Sequence, residues 1–443
     1  MKLWDKGKDT DSRIGEFTAG KDRESDMQLA VWDVLGSIAH ARMLENIGLL
    51  TTGELLSIER ELKKLYHKID KGEFRIMEDV EDIHSQVELS LTEVLGDTGK
   101  KLHTARSRND QVLLDLKLFG RDKIKEIARQ ANSLFRTLIS LSNEHRNLLM
   151  PGYTHMQIAM PSSFGLWFGA YAESLAEDMI ILRAAYNLTN YNPLGSAAGF
   201  GSSFPVNRSL TTKLLGFDDM HYNVVNAQMN RGKMEKSVAF SMGQLGSTLS
   251  KLAMDICLYS GQNFGFISLP EEYTTGSSIM PHKKNPDVFE LVRAKGNKLQ
   301  SLSFEISLIG ANLPSGYHRD YQLIKENFIP SFDILLEMLS ITEMVIKDIR
   351  ISPEITGDSL YQDIFSVEEV NKLVLQGTSF RDAYRKVAEK ISDGSYNADK
   401  RIDHTHEGSI GNLCNDRITD KMNKIMESFD FEKTEKAMMS LLE

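Results

Sequence analysis

The stretch Gly276-Ser277-Ser278-Ile279-Met280-Pro281-His282-Lys283-Lys284-Asn285-Pro286 gathers two hydroxyls, two cations, an imidazole and a carboxamide within a few residues. It is too polar to be a core. Gly276 permits a backbone bend that other residues resist, and Pro281 and Pro286 restrict the chain around the lysines. Such a loop can close over a dicarboxylate. The same residue types also make an ordinary solvated turn, and composition does not separate the two. Two more glycine-bearing segments interrupt the helical pattern, Lys101 to Gln111 (KLHTARSRNDQ) and Pro193 to Phe204 (PLGSAAGFGSSF). His155 lies between Asn147 and Ala172, a stretch without Asp, Glu, Lys or Arg, where a lone histidine is more often a satisfied core residue than a catalyst.

Loops of this kind act only when a rigid scaffold holds them. At 443 residues the chain exceeds one ordinary core and divides into two or three domains. Its ten prolines are roughly half the average usage of about 5%, which favours helices throughout. Leu55, Leu62, Leu65 and Ile69 recur at helical spacing behind a Thr51/Glu54 capping box. Near the other end Ser366 and Glu369 repeat the capping pattern, Gly377 follows as a stop, and Phe380, Tyr384, Val387 and Ile391 mark a further helix. Residues 147 to 172, 184 to 207, 237 to 250 and 256 to 270 are nearly free of charge. Helices without a polar face are expected inside a large bundle or against other copies of the chain, so an oligomer is expected.

Composition excludes several classes. A net charge of -10 argues against a nucleic-acid surface, which needs clustered Lys and Arg. Pro151, Pro161, Gly152 and His155 speak against a membrane span over 147 to 172. Cys257 and Cys414 cannot form a framework of bridges, and the charged opening MKLWDKGKDTDSR does not resemble a signal peptide, so a reducing cytoplasm is expected. HExxH, CxxC and a strand-linked GxGxxG are absent, and Asp403-His404-Thr405-His406 reads as a solvated polar tail. Neither metal nor cofactor is expected.

The Gly276 to Pro286 string resembles the signature loop of the fumarase/aspartase superfamily, G-S-S-x-M-P-x-K-x-N-P. LHTARSRNDQ (Leu102 to Gln111), EDIH (Glu81 to His84), PGYTHMQ (Pro151 to Gln157) and YHRDYQLIKE (Tyr317 to Glu326) resemble segments of its argininosuccinate lyase family, in that family's order from residue 3 to about residue 330. The resemblance implies an all-α fold of three helical domains: residues 1-106, a central long-helix bundle over 107-350 that assembles into a tetramer core, and residues 351-443. It also implies active sites composed from different subunits of a homotetramer and a small-molecule substrate.

The implied reaction is an anti elimination of argininosuccinate to arginine and fumarate. A base removes a proton beside a carboxylate, and the carbon to nitrogen bond then breaks. The carbanion spreads its charge into that carboxylate, so a cation there favours the transition state over the ground state. One charge at about 4 Å contributes on the order of 4 kcal/mol at an effective dielectric of 20. By resemblance Ser277 is the base, with Ser278 as the alternative, Lys283 the cation, and His155 paired with Glu290 the proton relay. Ser107, Arg108, Asn109, Thr154, Asn285, Tyr317, Gln322, Lys325, His84 and Arg231 are the substrate-binding positions carried over. The chain departs from the family at Asp22, where a serine is usual, at His282, where glutamine is usual and adenylosuccinate lyases often have histidine, and at Asn230 and Gly232 beside Arg231. Adenylosuccinate elimination and a catalytically silent, crystallin-like structural role are the competing readings.

Overall fold

The computed structural model describes residues 12–443. The opening eleven residues, which carry most of the argument against a leader and the start of the family match, lie outside the described residues. The N-terminal helices are α1 (Ser12–Ala19), α2 (Asp22–Asn46), α3 (Thr52–Asp70), α4 (Ile83–Leu95) and the single turn α5 (Asp97–Lys100). Thr51 and Glu54 form the expected capping box on α3, and Asp82 caps α4 by accepting from the Ser85 N–H. Leu62 and Leu65 of α3 are buried against α2, together with Ile38 and Leu44.

Five long helices build the centre: α6 (Arg108–Glu144), α7 (Phe164–Thr189), then, after the short α8 (Arg208–Leu214) and α9 (Val224–Met229), α10 (Lys233–Tyr259), α11 (Asp287–Ile309) and α12 (Ile324–Ile346). They alternate in direction. Lys117 near the start of α6 reaches the Leu188 carbonyl at the end of α7, and Ser142 near the end of α6 reaches Gly165 at the start of α7. Trp167 and Tyr171 of α7 both donate to Asp255 of α10. The α10–α11 crossing is closest where small residues meet, because a Cβ added to Gly296 would lie 2.3 Å from the Gly246 carbonyl oxygen. Leu134, Phe168, Met242, Leu299 and Phe332 share the central core.

The C-terminal helices are α13 (Ser366–Leu375), α14 (Phe380–Ser392), α15 (Asn415–Ser428) and α16 (Phe431–Leu442). Gly377 adopts the left-handed φ of 97° expected of a stop. The expected Ser366/Glu369 capping box is not formed: Phe365 occupies the cap position, and a 3-10 segment, Ser359–Phe365, runs straight into α13. The α14 stripe is only partly buried, since Val387 packs against Val370 while Phe380 and Tyr384 are each 61% exposed.

The uncharged stretches also divide more finely than helical patterning implies. Residues 237 to 250 lie wholly within α10, but 147 to 163 form a hairpin, β1 (Leu149–Thr154) with β2 (Gln157–Ser163), and 190 to 207 are mostly loop. Pro151 and Pro161 face each other across that hairpin, where neither can continue a helix.

Candidate active site

Arg108 is the first residue of α6, which Ser107 caps by accepting from the Asn109 N–H at 3.3 Å. This end faces α2 and the turn before α12, and His84, Arg108, Asn109, Tyr317, Gln322 and Lys325 line one cleft of about 130 Å³. Arg108 Nη1 lies 2.9 Å from Glu81 and 3.0 Å from Asp82. Gln322 donates to the Thr18 and Ala19 carbonyls at the end of α1. Arg231 sits beside the cleft, buried, paired with Glu235 at 3.2 Å and donating to the Tyr321 carbonyl at 2.9 Å.

Lys325 is held between two carboxylates of α2, Asp22 and Asp26, with 2.6 Å to Asp26. Burial opposes its charge, but Asp26 and Asp22 outweigh burial and raise its pKa above the ordinary lysine value. Burial raises Asp22 in turn, against the pull of Lys325. Asp22, the position where the family usually carries serine, therefore contacts a lysine expected to bind substrate.

The remaining expected residues lie elsewhere, on the loop before α11, on the first turn of α11 and at the tip of the β1–β2 hairpin. Residues 275 and 285 pair across the signature loop, with the Asn285 N–H donating to the Thr275 carbonyl at 2.8 Å. Ser277 Oγ accepts from the Met280 N–H at 3.2 Å and the Ile279 N–H at 3.4 Å, donors of the kind that favour a developing alkoxide. Lys283 and Ser278 are exposed, and Glu290 is exposed on the first turns of α11. Thr154 and His155 lie at the hairpin tip. His155 and Met156 have φ of 54° and 59°, the conformation of a two-residue hairpin turn, which turns the exposed imidazole away from the core. Among the described residues His155 and Glu290 share no hydrogen bond or ion pair, so the expected relay is not formed within one chain.

The two clusters occupy opposite ends of the bundle. Asn285 and Glu290 stand where α11 begins, whereas Tyr317 follows its end, and the 23 residues of α11 span about 35 Å at 1.5 Å per residue. A small substrate cannot bridge that gap, so one chain does not bring the two groups of expected residues together.

Reading the sequence missed Asp26, Asp33, Asp115 and Arg319. Arg319 reaches Glu81 at 3.1 Å on the cleft rim. Asp26 and Asp33 follow Asp22 on α2 with the spacing of one helix face, and Asp115 lies two turns after Arg108 on α6. Three acids on the apolar side of a helix were the available signal, because buried carboxylates require partners.

Comparison with known proteins agrees over the whole chain. A family model described as "Lyase" matches residues 6–300. Argininosuccinate lyase of Phocaeicola vulgatus is 59% identical over 442 residues, spanning 100% of this chain and 99% of the relative. Argininosuccinate lyase of Thermotoga neapolitana is 40% identical over 389 residues, 88% of this chain and 98% of the relative. An EDDS lyase variant with bound fumarate superimposes with a TM-score of 0.79 at 21% identity, covering 98% of this chain and 95% of the other. Class II fumarase from Schistosoma mansoni gives 0.70 at 17% identity, covering 86% and 93%. These two structures share the fold. With such identity sustained from end to end, the chain belongs to the argininosuccinate lyase family.

Proposed function

We propose that this protein cleaves argininosuccinate to arginine and fumarate, a step of arginine synthesis. Identity of 59% over the full length with relatives named for that reaction carries the reading. Ser277 removes the proton beside the substrate carboxylate. Lys283 and Asn285 hold the carboxylate into which the carbanion charge spreads. The electron pair then expels the guanidino nitrogen, which takes up a proton, and the carbon skeleton leaves as fumarate. His155 exchanges that proton, and its pairing with Glu290 requires a second copy of the chain. The other half-site, with Arg108, Asn109, Tyr317, Gln322, Lys325, His84 and Arg231, holds the remainder of the substrate.

The active unit is a homotetramer with sites shared between subunits. The two half-sites at opposite ends of α11 support this, as does the bundle surface. Phe240, Phe304 and Leu308 are 50%, 67% and 60% exposed on α10 and α11, beside Ile181 and Leu188 of α7. A partner bundle would cover this apolar face. No described helix is long and apolar enough to cross a membrane, and with Cys257 and Cys414 unpaired we assign the enzyme to the cytoplasm.

The test is ultraviolet absorbance of new fumarate when the protein meets argininosuccinate, adenylosuccinate or aspartate separately. Signal with argininosuccinate alone is expected. Signal with adenylosuccinate alone would keep the elimination and reassign the substrate. Silence with all three would favour the structural role.

A further inference from the structure

Behind the Arg108 cleft, His84 is enclosed by carboxylates. Its Nδ1 lies 2.5 Å from Asp33 Oδ2 and 3.7 Å from Asp115 Oδ2. Asp33 and Asp115 are 2% and 1% exposed, yet Asp33 Oδ1 and Asp115 Oδ2 accept no hydrogen bond within the chain. The three ligand atoms lie within 4.8 Å of one another, as metal ligands do. Two ligands of one zinc-sized ion, each about 2.0–2.2 Å from it, stand roughly 3 Å or more apart. The His84–Asp33 contact is the spacing of a hydrogen bond, closer than two ligands of one ion stand.

We infer that Asp33 and Asp115 are positioning residues that clamp the Nδ1 edge of His84, so that its Nε2–H is a fixed, cationic donor to a substrate carboxylate in the Arg108 cleft. The carboxylate of this inference rests on the proposed function, whereas the clamp itself does not. His84 lines the cleft while Nδ1 is turned to Asp33. An imidazolium has two donors and no acceptor, so its free edge takes a carboxylate or carbonyl oxygen and rejects a guanidinium.

The surroundings favour the charged ring. From α2 it faces Asp33, with Asp26 one face-repeat away. From the α4 cap it faces Asp82, and from α6 Asp115, while Arg108 binds Asp82 and Arg106 approaches Asp33 and Asp115. Burial opposes the charge, but the Asp33, Asp115 and Asp82 carboxylates outweigh it and raise the His84 pKa to about 10. Burial and the neighbouring Asp33 push Asp115 well above the ordinary carboxylate range, so the cluster titrates as a unit. A histidine whose folded pKa is raised contributes stability that is complete below about 6.5 and is lost as pH rises through about 10.

The experiment compares the full-length protein with Asp33→Asn and Asp115→Asn, Asp115→Asn serving if Asp33→Asn does not fold. Melting temperature against pH needs no substrate. The deficit of each variant is expected to be widest below about pH 6.5 and to narrow as pH rises and the wild-type ring loses its proton toward about pH 10. Turnover of argininosuccinate gives the second readout. The KM of the variants should match wild type near pH 6 and exceed it on the order of tenfold in mild alkali, where the unclamped ring is neutral, with kcat little changed. A deficit and a KM ratio that both ignore pH would reduce the cluster to packing and overturn the clamp. Stoichiometric metal in the purified protein by mass spectrometry would replace the proton with an ion. Wild-type protein that shows the melting signature but no turnover would keep the clamp and sink the substrate assignment.

Discussion

The Asp110 carboxylate accepts the Gly195 N–H at 3.0 Å across 85 positions of sequence. The same oxygen accepts the Ala197 N–H at 2.9 Å, and the other accepts the Ser107 N–H at 2.8 Å. One buried side chain thus ties the turn that carries Ser107, Arg108 and Asn109 to the glycine loop at residues 193 to 204. Gly195 has φ of 85°, and its N–H points at Asp110 from a backbone shape that favours glycine.

Asp110→Asn turns an NH2 group against at least one of those N–H donors. Stability is expected to fall by about 1–3 kcal/mol for the unmet pairing. KM is expected to rise more than kcat falls, because the turn shifts and the Ser277 loop does not. Denaturant melts and initial rates check both. An unchanged KM would separate the loop from the cleft.

Ser277→Ala is expected to lower kcat by about 10²–10⁴-fold, the usual contribution of a positioned proton-transfer group, with the assembly intact. Ser278→Ala should keep near-normal turnover, because the loop N–H groups at 279 and 280 point to Ser277. The reverse outcome would move the base to Ser278.

Mixing Arg108→Gln protein with Ser277→Ala protein under mild dissociation and reassembly is expected to restore activity. Each variant damages a different end of the bundle, so hybrids contain some sites with both halves intact, roughly a quarter if the ends combine at random. Hybrids as inactive as either parent would mean that one chain supplies both halves.

Gly296→Ala is expected to cost about 1–3 kcal/mol through overpacking, since its methyl would meet the Gly246 carbonyl and the α10–α11 crossing must open. Light scattering should show a weakened assembly, because both helices carry the exposed apolar face. An unchanged melting curve would contradict the close approach.

His40 is fully buried, with Nε2 2.9 Å from the Thr104 carbonyl, and burial, aided by Arg106, lowers its pKa from 6.5 to about 3. A depressed folded pKa contributes stability above about 6.5 that drains away as pH falls toward about 3. Acid unfolding should therefore begin before most carboxylates titrate, and His40→Gln should flatten the change between pH 6.5 and 5. An equally steep curve in the variant would assign that acid sensitivity elsewhere, for instance to His221, which burial also lowers to about 3.

Local chemistry was legible in the letters. Thr51 and Glu54 specify their cap because the partners are three residues apart, and the proline-poor, periodic segments specify helices. The Gly276 to Pro286 string and the RSRND turn identified the family, because the residues of each motif lie side by side in sequence. The cap expected at Ser366 failed because the preceding chain was already helical, a condition set by what Tyr361 and Phe365 pack against. Tertiary structure alone decided which chemistry meets which. Asp33, His84 and Asp115 come from three separate helices, and no spacing within one of them announces the other two. Tertiary structure also separated the Arg108 cleft from the Ser277 loop, because the length of α11 carries them to opposite ends of the bundle, and it left His155 and Glu290 without a mutual hydrogen bond or ion pair within the chain.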